Sequence, residues 1–335
     1  MAHDPGLEAR VRMAADLLTP MVIRVAATLR LADHIADGAR TCAALAKVTD
    51  SDEDALGRVL GHLVMAGFLV RQDGDGFGLT GLGEVLRGDD SRDVRAWLDL
   101  DGATGHADLC LVELLHTVRT GRPAFAKRYG RTFWEELAAD PELSASFDAL
   151  MSSQEIGHPA VAAAYDWGAL GTVVDVGGGN GSLLVALLTR YPGLRATLVE
   201  LDAPATRARA AFAAAGVADR TEVVTGSFFR PLPPGAGGYV LSSVIHDWDD
   251  DAALAILRRC ATAAGSNGKV ILIEQTQSQG GKSARTAMDL RMLAYFRGRE
   301  RGLDDIAELA AAAGLTVIAV HPVEFRSVIE LRTHR

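Results

Sequence analysis

The chain has 335 residues, 48% hydrophobic and 23% charged, which is the balance of a folded globular protein of about two domains. A net charge of −9 argues against a protein that coats nucleic acid through a basic face. No apolar run reaches the roughly 18 residues of a membrane span, the first residues lack the basic-then-apolar layout of a signal peptide, and Cys42, Cys110 and Cys260 form no CxxC pair, so a cytoplasmic protein without a disulfide framework or thiolate metal site is expected.

The first hundred residues read as helices followed by a hairpin. Leu17 to Ile35 is apolar and small enough for one buried helix, and Thr41 caps a short helix to Ala46. Acids at 50 and 52–53 open a further helix, where they suit the positive end of its dipole. That helix carries Leu56, Val59, Leu60, Leu63 and Val64 as an apolar stripe and ends at Gly67. Strand-like runs at 68–70 and 77–79 flank the turn Asp73-Gly-Asp-Gly76. Helices followed by a two-stranded wing make a winged-helix pattern. A winged helix can read DNA, but the candidate recognition helix offers only Arg58 and His62 among three acids, so a dimerisation role for residues 1–95 is the expectation.

Residues 96–165 read as helices that roof a pocket, with breaks at Gly121-Arg-Pro123 and Asp140-Pro141. From residue 166 to the end, short β-rich runs alternate with helices. The strands expected are Thr172–Val176, Ala196–Glu200, Thr221–Thr225, Tyr239–Ser243, Val270–Glu274 and Thr316–Val320, with helices at Leu183–Thr189 and Ala252–Ala264 among those between. This alternation predicts an α/β Rossmann-like domain, a mostly parallel sheet with helices on both faces.

Within it, Val173-Val-Asp-Val-Gly-Gly-Gly-Asn-Gly181 takes a strand into a glycine-rich turn and a helix. The spacing is GxGxG over Gly177, Gly179 and Gly181, and the third glycine of a dinucleotide fingerprint is replaced by Ser182. Glu200 ends the next strand, 25 residues after Asp175, where a carboxylate accepts hydrogen bonds from both hydroxyls of a ribose. A site without the third glycine suits S-adenosylmethionine, which has no pyrophosphate, better than NAD.

Ser242-Ser-Val-Ile-His-Asp-Trp-Asp-Asp-Asp251 follows the expected fourth strand, so His246 lies at a strand's carboxyl end, where open α/β sheets place their chemistry. Asp249 reads as an N-cap, with Asp250 and Asp251 in the first turn of the next helix. Glu274 and Glu300 are the acids positioned to orient the imidazole, although Glu300 in Gly298-Arg-Glu-Arg301 also reads as a surface acid paired with arginines. An aromatic hydroxyl, with a pKa of about 10, needs a base within hydrogen-bond reach to become a nucleophile. A metal held by His246, Asp247 and Asp249 is disfavoured because capping already explains the aspartate, and none is expected.

These motifs, together with Gly-Ser-Phe-Phe at 226–229, Leu-Pro-Pro-Gly-Ala-Gly at 232–237, Ile-Leu-Arg-Arg-Cys at 256–260 and Met-Asp-Leu-Arg-Met-Leu at 288–293, resemble the winged-helix class I O-methyltransferases of plant phenolics and bacterial antibiotic pathways. Runs at 27–35, 128–135 and 143–148 are similar to the naphthoate O-methyltransferases of enediyne and azinomycin biosynthesis. The resemblance implies a homodimer through the N-terminal domain and S-adenosylmethionine as cofactor. It implies His246 as base with Glu274 and Glu300 as its carboxylate partners. For the cofactor it implies Asp175, Gly177, Gly179, Gly181, Glu200 and Phe228, with Ser227 and Ser242 where many relatives carry aspartate and lysine. It implies Met151, Met288, Met292 and Phe296 as pocket walls. A hydroxy-1-naphthoic acid substrate brings a carboxylate that calls for a cation, for which Arg12 is the first candidate and Arg291 and Arg297 compete. The alternatives are methylation of another aromatic polyketide or phenolic, and a hydroxylase or decarboxylase that binds the cofactor on the same scaffold.

Overall fold

The computed structural model describes residues 5–153, 158–276, 282–324 and 326–333. The chain divides into two compact units, 1–106 and 107–335, so the segment 96–106 falls in the first unit and the helices that follow fall in the second.

In the first unit, Thr41 accepts from the Ala44 N–H and makes the expected N-cap, while Asp52, expected only among the acids that open its helix, is the N-cap there and accepts from the Ala55 N–H. Leu56, Leu60 and Leu63 are the buried positions of the helix Glu53–Met65. Strands β1 (Leu69–Gln72) and β2 (Gly76–Leu79) pair antiparallel across the Asp-Gly turn. The single helix expected over Leu17 to Ile35 is corrected to two, Leu18–Thr28 and Leu31–Ala36. Arg30 between them has φ 52°, and the break lets Val22 and Ala26 on one side and Leu31 and Ile35 on the other enter the same core.

The second unit begins with short helices that include Leu114–Thr120, Ala124–Tyr129, Phe133–Ala139 and Pro141–Ser153. Both expected breaks are present, and a third lies at Gly130 (φ 77°), followed by a capping box between Thr132 and Glu135. The sheet comprises β3 (Thr172–Val176), β4 (Arg195–Glu200), β5 (Thr221–Thr225), β6 (Gly238–Ser242), β7 (Lys269–Gln275), β8 (Leu315–Val323) and β9 (Arg326–Thr333). Their order is β5-β4-β3-β6-β7-β9-β8. The first five strands run parallel, while β9 is antiparallel to both neighbours. Strand β9 is absent from the sequence-based reading because Ser327 and Glu330 interrupt its apolar run. Both are nevertheless buried: the Ser327 hydroxyl meets the Thr276 hydroxyl at 2.6 Å, and Glu330 accepts from the Tyr165 hydroxyl and pairs with Lys269. Successive strand residues feed opposite layers, Val174 and Leu241 toward the helices Asp250–Ala264 and Leu303–Ala312, and Val173 and Val240 toward Ser182–Arg190. Strands buried on both faces in this way leave the carboxyl edge of the sheet as the open ground for a site.

Candidate active site

Strand β3 ends at Val176, and the glycine loop follows with Gly177, Gly179 and Gly181 at φ 74°, 58° and 79°. A side chain at 178 would lie 2.2 Å from the Asp175 carboxylate, and one at 181 would lie 2.5 Å from the Phe212 ring. The backbone therefore packs directly on a fully buried Asp175, which supports the loop from beneath. Above Gly179 the space is open, with no atom within 4 Å of where a Cβ would stand. Glu200, at the end of β4, accepts from the Gly179 N–H at 3.0 Å and the Leu201 N–H at 2.6 Å. Burial raises its pKa while those two N–H groups work against the rise. A carboxylate offers about four acceptor positions, so room remains for a ribose diol. The Phe228 ring lies against Gly177 and edge-on to Trp248. Ser227 turns its hydroxyl to the Phe229 N–H, and Ser242 is the half-buried last residue of β6. An open cradle of glycines with an adjacent carboxylate and an aromatic face fits an adenosine.

Strand β6, the neighbour of β3, delivers His246 on a short 3₁₀ turn, Ile245–Asp247, entered through Ser243 at φ 52°. The Nδ1–H of His246 donates to Glu300 Oε1 at 2.9 Å, and Nε2 lies 3.4 Å from Asp247 Oδ1. Glu300 is buried and paired with the imidazole, while the arginines beside it turn to Asp250. Glu274 takes a different place from the one the resemblance implies. Its Oε1 accepts from the Ile245 N–H at 3.0 Å, so it holds the backbone of the turn and reaches the imidazole through its charge. Burial disfavours the imidazolium, but Asp247, the hydrogen bond to Glu300 and the charge of Glu274 together outweigh it and raise the His246 pKa to about 10. Burial likewise raises the Asp247 carboxyl to about 7 against the pull of His246.

Asp249 makes the expected N-cap, accepting from the Ala252 N–H at 2.9 Å. Among the described residues no group of three or more His, Cys, Asp or Glu could hold a metal ion.

Toward the substrate side, Phe296 is half-buried and stacks on Trp134 with ring centroids 5.2 Å apart and planes at 16°. Phe133 and Phe147 pack edge-on around them. Met292 is buried, and Met151 and Met288 are half-buried. Of the arginine candidates, Arg291 is already committed. It donates through Nε and Nη2 to the two oxygens of Asp108, which also accepts from the Tyr295 hydroxyl. Arg297 is 60% exposed and 3.3 Å from Asp249. Arg12 lies in the first unit on the exposed helix Pro5–Ala14, paired with Glu8 four residues away. In the same unit Arg58 pairs with Asp54, and His62 shares a hydrogen bond with Thr19.

Asp247 and Arg301 are the site residues that sequence reasoning missed. The first was weighed only as a metal ligand, and the second stood in a charge run whose ordinary reading is a solvated surface.

A glycine loop and a carboxylate-flanked histidine on adjacent parallel strands define a class I methyltransferase fold and site. Residues 111–316 match the O-methyltransferase domain family and residues 11–88 the O-methyltransferase dimerisation domain. The chain belongs to the O-methyltransferase family. Its relatives include 2,7-dihydroxy-5-methyl-1-naphthoate 7-O-methyltransferase of Streptomyces carzinostaticus, 55% identical over 323 residues and 96% of each chain. Aclacinomycin 10-hydroxylase RdmB of Streptomyces purpurascens is 48% identical over 320 residues, 94% of this chain and 86% of that one. In structure the chain is similar, with a TM-score of 0.93 at 52% identity over the whole of both chains, to the O-methyltransferase NcsB1 of neocarzinostatin biosynthesis in complex with S-adenosylmethionine and 2-hydroxy-5-methyl naphthoic acid.

Proposed function

We propose that the chain is an S-adenosylmethionine-dependent O-methyltransferase that methylates an aromatic hydroxyl of a hydroxy-1-naphthoic acid in antibiotic biosynthesis. The observation that carries the reading is the 2.9 Å contact of His246 Nδ1 with buried Glu300, at the turn after the strand that neighbours β3 and its glycine loop. When bound, S-adenosylmethionine supplies the electrophilic methyl group and a positive charge. Gly177, Gly179, Gly181, Glu200 and Phe228 would hold it. The substrate hydroxyl gives its proton to His246 Nε2 as its oxygen takes the methyl group, and Glu300 stabilises the imidazolium that results. Because the imidazole favours its protonated form, the base is most available in alkaline solution, and a positive charge brought beside it pushes the equilibrium the same way. The stacked pair Trp134 and Phe296 supports a flat aromatic substrate.

The enzyme acts as a homodimer in the cytoplasm in this reading. The dimerisation-domain match and the exposed Leu17 and Leu18 support the dimer, and the free cysteines suit a reducing compartment. Arg12, on an exposed helix, is assigned to the substrate carboxylate of the partner's site. The hydroxylase at 48% identity supports a second reading, in which the same scaffold binds the cofactor without transferring its methyl group.

Mass spectrometry of products from pure protein, cofactor and a panel of naphthols with and without a ring carboxylate separates these readings. Methylated product and S-adenosylhomocysteine are expected from the carboxylated naphthols, with loss of about 10²–10⁴ in rate for His246→Ala and a raised KM for Arg12→Ala. Hydroxylated or decarboxylated product without S-adenosylhomocysteine would establish the second reading.

A further inference from the structure

The segment 298–301 lies along the His246 turn, and its arginines do different work. Gly298 packs so closely on the turn that a side chain there would stand 2.2 Å from the His246 carbonyl oxygen. The Arg299 N–H donates to that same oxygen at 2.9 Å. The Glu300 N–H donates to Asp289 Oδ1 at 2.8 Å, which sets the backbone from which the Glu300 carboxylate reaches Nδ1. The Arg299 guanidinium is half exposed and meets Asp250.

Arg301 is 4% exposed, in a family of side chains almost never buried without partners. Its Nη1 donates to the Ile245 carbonyl at 2.7 Å and its Nη2 to the Trp248 carbonyl at 2.9 Å. Nε and Nη2 both reach Asp250 Oδ1, at 3.2 and 2.7 Å. The two carbonyls bracket His246, one on the residue before it and one two residues after. Asp250 begins the helix that leaves the turn. A planar fork with five donors spans these three acceptors, and a lysine ammonium does not.

We infer that Arg301 is a positioning residue for the reaction: it clamps the turn that carries His246 to the segment that carries Glu300, so that the base and its carboxylate partner keep their register. The inference rests on His246 being the base. The turn has only three helical residues and starts from a left-handed Ser243, so its own hydrogen bonds do little to hold it. Displacing a catalytic group by about 1 Å costs on the order of 10²-fold in rate.

The test reads the imidazole itself. The wild-type protein and Arg301→Met, labelled with ¹⁵N-histidine and without substrate, are titrated by NMR, with the His246 signal assigned by its loss in His246→Gln. The groups that face this ring are Asp247, Glu300 and Glu274, and all three remain in Arg301→Met. Removing a nearby positive charge alone would raise the midpoint. Loss of the clamp loosens Glu300 from Nδ1 and is expected to lower it by about one unit or more, the scale on which one neighbouring charge acts. Where methyl transfer is measurable, kcat falls about 10²-fold with KM for the cofactor unchanged. Arg301→Lys, which keeps the charge but not the fork, is expected to lower the midpoint in the same direction and decides the matter if the methionine variant does not fold. An unchanged or raised midpoint in the folded variant overturns the inference. Because the titration needs no turnover, it stands even if the wild-type protein transfers no methyl group, which would sink the proposed function instead.

Discussion

At the scale of the residue, His246 is the place where environment outweighs identity. A free imidazole is mostly neutral at physiological pH, whereas this one lies among three carboxylates that hold its proton to about pH 10. Activity that depends on the neutral ring therefore rises with pH through the alkaline range. Glu300→Gln removes the hydrogen-bonded charge, so the rising limb of the kcat profile is expected at lower pH, with a lower plateau because the imidazolium formed in the reaction loses its partner. The linkage to stability has a definite sign. The folded pKa lies above the unfolded value, so the stabilisation is complete below about pH 6.5 and is lost as pH rises through about 10. Melting temperatures measured across that window are expected to fall, and to fall less in Glu300→Gln. Equal slopes in the two proteins would mean that Glu300 does not hold the proton. The position of His246 at a strand end was legible in sequence. Its partner was legible only as a choice between Glu274 and Glu300, because a buried Glu300 between two arginines is written like a surface acid.

At the scale of the element, caps and turns followed their local chemistry. Thr41 and Asp249 cap the helices they were expected to cap, since the N-cap bond spans only three residues and needs no distant partner. Asp249 tests whether its role is capping alone. Asp249→Ala is expected to lower stability by about 1 kcal/mol, while Asp249→Asn, which keeps an acceptor oxygen, changes it little. Denaturant unfolding of the two variants measures this, and a large loss in the asparagine variant would point to a role for the charge itself. The helix over Leu17 to Ile35 and the strand β9 were the elements misread. In each, a distant core decided: one helix had to bend at Arg30 to bury both its halves, and one strand buried polar residues that found partners on other elements.

At the scale of the whole molecule, apolar surface points to assembly. Val11, Met13, Leu17 and Leu18 in the first unit, and Val112, Leu115 and Val118 in the second, are all more than half exposed. Exposed apolar side chains at the start of one helix, as at Leu17 and Leu18, are a common mark of an association surface. Sedimentation equilibrium is expected to give the mass of two chains, and Leu18→Asp to shift it toward one. A wild-type protein that sediments as a monomer at micromolar concentration would remove the dimer, and with it the assignment of Arg12 to a partner's site.

What the sequence by itself determined is what depends on neighbours along the chain. The GxGxG turn after a strand, Glu200 at the end of the next strand, the histidine beyond a third, and the alternation that makes a parallel sheet all follow from local backbone chemistry and period. Only the tertiary structure decided which acid touches the imidazole, that Glu274 holds the backbone of the turn, that Asp108 occupies Arg291, and that Arg301 is buried. The physical reason is common to all four. Each depends on burial and on a partner tens to hundreds of residues away, and a charged side chain carries no mark in sequence of whether water or another charge will neutralise it.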